Sequence, residues 1–113
     1  MIKEVQITAV AYQEGDSWSA QCLEFDIAAQ AARLTDLFIE LQRIIAAHIS
    51  VCMELGREPF AGLDPAPQHF WKLYEDAKMT VNTDRMPFRL AQPSSVLPSY
   101  SAFKIAESEA VCA

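Results

Sequence analysis

The sequence predicts an α+β domain: three strands, then one long helix, then an extension carrying a short helix and possible edge strands. Three observations lead there. Apolar and polar residues alternate through the first thirty positions, residues 35–55 repeat with the period of a helix, and all six prolines (Pro59, Pro65, Pro67, Pro87, Pro93 and Pro98) lie in the second half. The chain therefore divides into a regular part, 1–58, and an aromatic, proline-rich extension, 59–113. The extension is expected to pack on the same core or on a neighbouring protomer.

In the first strand Val5, Ile7, Ala9 and Ala11 alternate with Gln6, Thr8, Val10 and Tyr12, the period of two of a strand with one covered face. Glu14-Gly15-Asp16 follows as a turn, with Gly15 free to take positive φ. Trp18, Ala20 and Cys22 alternate in turn with Ser19, Gln21 and Leu23, which predicts a hairpin. A second reversal at 23–26, capped by Asp26, leads into a short strand over 27–31, whose small side chains would let a helix approach closely.

The helix expected over 35–55 carries Asp36, Glu40, Arg43, Ala47, Ser50 and Glu54 on one side, and Leu37, Leu41, Ile44, Ile45, His48, Cys52 and Leu55 on the other. Thr35 suits the N-cap, Asp36 complements the helix dipole, and Gly56 followed by Pro59 supplies the stop. Ile39, Ile49 and Met53 widen the apolar face, which fits contact with another chain or with the second half of this one. Pro67 is placed to open a short helix reaching Ala77. Segments 86–90 and 100–106 read as strands that the neighbouring prolines confine to edges or loops.

Composition narrows the function classes. A chain of 113 residues with 51% apolar content builds one core, and no apolar run approaches the ~20 residues of a membrane span. The start lacks the charged and apolar regions of an export signal, so a cytoplasmic protein is expected. Cys22, Cys52 and Cys112 are far apart without a C-x-x-C pair, which suggests neither a disulfide framework nor zinc. A net charge of −6 argues against nucleic acid, whose phosphates demand a clustered cationic face, and favours a basic protein partner.

Residue chemistry points away from catalysis. Glu14 and Asp16 lie at one turn and Glu24 and Asp26 at the next, and consecutive turns of a meander sit about 17–20 Å apart, a strand's length. A general acid and base so separated cannot share a bond, so these carboxylates read as turn formers and solvated charge that can steer a cationic partner. His48 and Cys52 share a helical face at a spacing two metal ligands can use, but no third ligand is near. Phe60, Phe70, Trp71 and Tyr74 form the densest aromatic group, fit for a satellite core or an interface hot spot. Candidate partner-binding residues are Asp16, Trp18, Glu24, Asp26, Phe70, Trp71 and Tyr74.

Trp18-Ser19-Ala20-Gln21-Cys22, Gln30, Thr35 and the Leu55-Gly56 close, in this order, resemble the HicB-like antitoxin family over about residues 7–59. Ala31 stands where the family usually has glycine, and the link to Thr35 is longer than usual. The resemblance implies a three-stranded antiparallel sheet with one long helix on one face, related to double-stranded-RNA-binding folds. It also implies a non-enzymatic module, a homodimer or larger homo-oligomer, that neutralises a small basic ribonuclease toxin by occlusion. No cofactor or metal is expected, and the scattered Lys72, Lys78, Arg85, Arg89 and Lys104 give no DNA-reading helix. The alternative is a self-assembling structural or regulatory protein of the same fold without a toxin partner.

Overall fold

Alternation in the first thirty residues builds a hairpin. In the computed structural model, which describes residues 3–84, 86, 88, 90 and 96–106, β1 (Lys3–Glu14) pairs antiparallel with β2 (Ser17–Cys22) from Ala9↔Cys22 to Glu14↔Ser17. Gly15 holds φ at +62° in the two-residue connection, as the first central position of a type II′ turn requires. β3 (Ala28–Ala31) returns antiparallel to β2, with Ala29 opposite Ala20.

α1 (Leu34–Glu54) starts one residue earlier than expected, and Thr35 is not its N-cap. That place belongs to Arg33, extended at φ −122° and ψ 149° with no side-chain cap. Leu34 packs against the main core, so apolar burial draws the first turn forward and leaves Thr35 exposed inside it. The far end stops at Gly56, at φ +67°. There Gly56 N–H donates to Met53 O at 3.1 Å and Arg57 N–H to Cys52 O at 2.8 Å, the paired bonds of a Schellman motif.

α2 (Gln68–Asp76) has Pro67 as its N-cap, at ψ 151°, and not as its first helical residue. Two strands follow, β4 (Met79–Thr80) and β5 (Val96–Ile105). Met86, Phe88 and Leu90, from the strand expected over 86–90, lie outside any strand; residues 85, 87 and 89 lie outside the described residues. The strand expected over 100–106 begins earlier and is not confined to an edge.

The sheet runs in the order β3-β2-β1-β5-β4. β5 pairs parallel with β1, from Lys3↔Val96 to Ala11↔Ile105, so the sheet is mixed and not antiparallel throughout. A parallel pair needs a long crossover, here the chain through β2, β3 and both helices. Pro98 sits opposite Val5 in a stretch of β5 that β4 does not reach, since β4 meets only Lys104 and Ile105. Among the described residues no strand flanks β5 on that side there, and the missing N–H of proline costs no ladder bond.

Both faces of the sheet are covered, in place of the single covered face expected. Odd-numbered Ile7, Ala9 and Ala11 of β1 join Ala20, Cys22, Ala29 and Phe103 beneath Leu37, Leu41, Ile45 and Ile49 of α1. Small residues on β2 and β3 let α1 pack closely against them. Even-numbered Val10 and Tyr12 point the other way, to Leu23, Ala66, Ala77 and Ala106, and to Phe70, Trp71, Leu73 and Tyr74 of α2. Residues from both sides of position 58 thus build one sheet.

Candidate interaction site

β2 ends at Cys22 while β1 runs on toward Lys3, and the chain improvises a continuation. Leu23 N–H donates to Thr8 O at 2.9 Å. The Glu24 carboxylate completes the pairing: Thr8 N–H donates to Oε1 at 2.7 Å and Thr8 Oγ1–H to Oε2 at 2.6 Å. Charge-assisted bonds this short are the strong ones. Glu24 is therefore a structural clasp, a correction to its reading as turn former and solvated charge.

Asp26, expected to cap the second reversal, accepts from Gln21 Nε2 at 2.8 Å, and its own N–H donates to Asp64 O at 2.8 Å. Gln21 is only 3% exposed, so this contact gives a buried amide one of its partners. Asp16 lies exposed in the β1–β2 turn, at the opposite end of β2 from Glu24 and Asp26. The structure does not bring the two acidic pairs together.

The aromatic candidates also separate. Trp18, opposite Gln13 and Ala31, packs half-buried on the α1 side. Phe70, Trp71 and Tyr74 pack on the other side. Phe70 lies 5.9 Å from the Tyr12 ring, Trp71 Nε1–H donates to Ala66 O at 3.1 Å, and Lys104 Nζ sits 4.4 Å over the Tyr74 ring. These three form a satellite core, one of the two roles expected of the aromatic group, and each keeps a half-exposed surface, whereas Phe60, expected to join them, is buried in the main core instead.

His48 has a task that its spacing to Cys52 did not announce. Its Nε2 accepts the Phe60 N–H at 2.9 Å, with Cys52 Sγ 3.6 Å from the same nitrogen. Phe60 holds φ at +68°, a costly conformation for a bulky residue. Its ring is 4.5 Å from that of Phe25 and 5.0 Å from that of His48, which holds the strained turn shut. Burial keeps the His48 imidazole below its ordinary range, in the neutral form that can accept a bond. Burial, and Glu24 nearby, push the Cys22 thiol up to about 12, too high for a nucleophile. Among the described residues no three His, Cys, Asp or Glu side chains gather as metal ligands.

Beyond the Glu24 clasp a cleft of about 310 Å³ opens between the start of β1 and the segment that His48 anchors. Glu4 and Gln6 form one wall, Glu58 and Ala61 the other, and Phe25 and Phe60 the apolar part. Lys3 Nζ bridges to Glu58 Oε1 at 3.7 Å, both side chains more than 60% exposed. The unequal lengths of the first two alternating runs were the available sign of this opening. Comparison of the chain with protein-family models, with curated proteins and with solved structures finds no match.

Proposed function

We propose that the protein is a non-enzymatic, antitoxin-like binding module that neutralises a small basic ribonuclease toxin by occluding it. One observation carries the reading: the acidic excess is displayed at the surface. Glu4, Glu14, Asp16, Asp26, Asp36, Glu54, Glu58 and Asp64 are all exposed. Ion pairs among the described residues engage Glu58, Asp36 and Glu40, and such surface pairs are weak and exchangeable. A field of this sign raises the encounter rate with a cationic partner and falls with salt. The β-β-β-α order from β1 to α1 agrees with the family resemblance.

The test is recovery from the native cell extract, followed by function. The expected result is one small basic protein in stable ratio, with ribonuclease activity that the purified chain suppresses stoichiometrically. A recovered protein without nuclease activity, or one whose activity the chain leaves intact, overturns the toxin reading.

A second reading, self-assembly without a toxin, is favoured by Ile39, Val51 and Leu55, which are 58%, 52% and 60% exposed on α1 and the residue that caps it. Large exposed apolar side chains grouped on one element often mark a contact surface. A monomeric mass by light scattering across the micromolar range overturns it.

A further inference from the structure

β1 has twelve residues and β2 six, and the mismatch leaves part of one strand edge unclaimed. Thr8 exchanges bonds with Leu23 and Glu24, Val10 lies opposite Gln21 on β2, and Ala11 O receives Ala106 N–H beside β5 at 2.8 Å. Main-chain groups of successive strand residues face alternate edges. The pairing with β5 shifts register between Ile7 and Thr8, but the extra residue is on β5, and Val5, Ile7, Ala9 and Ala11 all pack on one face. Even-numbered residues of β1 therefore aim their N–H and C=O groups at the β2 side throughout, and odd-numbered ones at β5. Glu4 and Gln6 are even-numbered and lie beyond the end of β2. Among the described residues no main-chain group pairs with them on that side, and the cleft is what they face.

We infer that this cleft is a strand-addition slot, in which Glu4 and Gln6 pair with an extended basic segment of a partner protein that takes up the line of β2. Strand addition draws affinity from main-chain bonds and selectivity from pockets for alternate side chains. Both are in place. The open edge supplies the N–H and C=O groups, and Phe25 and Phe60 supply an apolar floor. The charge of the rim selects the segment: Glu4 is exposed, and the exposed Lys3–Glu58 pair at 3.7 Å can exchange its lysine for one from the partner. The inference rests on the antitoxin reading only in assigning the segment to a toxin. The slot itself follows from the strand mismatch.

The probe is a fluorescein-labelled six-residue peptide alternating valine and lysine, titrated into the full chain by anisotropy, with amide hydrogen exchange read on the complex. Two control peptides carry N-methyl groups on alternate amides, one in each phase. The phase that removes the donors facing β1 should weaken binding at least tenfold, and the other should bind as the parent does. Gln6→Pro, which deletes an edge donor, and Ala61→Trp, which fills the cleft from outside the sheet, should each weaken binding at least tenfold. Exchange should slow at Glu4 and Gln6.

Absence of binding, affinity unchanged in Ala61→Trp, or protection elsewhere overturns the slot. A toxin that binds the Ala61→Trp chain as tightly as the natural one leaves the antitoxin reading standing and refutes the slot as the place where the toxin docks. Peptide binding in the slot, in a chain for which no toxin is recovered, leaves the slot standing and the antitoxin reading refuted.

Discussion

Glu24 and His48 each use a side chain where a neighbouring strand or turn would use main chain, and both hold segments distant in sequence. Glu24 reaches back sixteen positions to Thr8, and His48 twelve positions forward to Phe60. The second contact has a pH signature. A bond accepted at Nε2 requires neutral imidazole, and burial lowers the His48 pKa from its ordinary 6.5. The unfolded chain then takes up its proton first as pH falls, so the contribution is complete above pH 6.5 and is lost as pH drops from there through the folded value. His48→Ala should cost about 1–3 kcal/mol near pH 7.5, the range for leaving a buried donor unpaired. It should also flatten the fall in stability between pH 7 and 5. Urea unfolding of both chains at several pH values reads this directly, and parallel curves would refute the latch.

Among the elements, the end of α1 is the most fully local. Gly56 lies at φ +67° with nothing within 4 Å of where a Cβ would stand, so Gly56→Ala meets backbone strain without a clash. A loss of about 1 kcal/mol is expected in thermal or urea unfolding, and an unchanged midpoint would show that the Schellman turn is not under strain. This end was legible because helix pattern, glycine and Pro59 follow one another in a few residues; the Gly15 hairpin was legible for the same reason. The start of α1 was not, because Leu34 gains more from the core than Thr35 gains from capping. β5 was misplaced because Pro98 reads as a strand breaker, whereas β4 is too short to flank it. Glu24, His48 and the left-handed Phe60 left no sequence sign, since each is defined by a partner far along the chain.

At the scale of the whole molecule, the sheet joins a hairpin closed by two residues to a parallel pair closed by nearly the entire chain: Glu14 lies opposite Ser17, while Lys3 lies opposite Val96. Loop-closure entropy rises with the span closed, and non-local pairing slows folding. The hairpin should therefore form before the transition state, and β5 should dock after it. Phe103 is fully buried on β5 against Phe38, ring centroids 5.2 Å apart, so Phe103→Leu tests docking at a cost of roughly 1–1.5 kcal/mol. Gly15→Ala, forced to keep φ at +62°, tests the turn at about 1 kcal/mol. Losses in early structure slow folding, and losses in late structure speed unfolding. Stopped-flow chevrons should thus show Phe103→Leu unfolding about tenfold faster with its folding rate nearly unchanged, and Gly15→Ala folding severalfold slower with its unfolding rate nearly unchanged. The opposite partition would mean that β1 and β5 meet first, and that the hairpin is shaped on a parallel pair already formed.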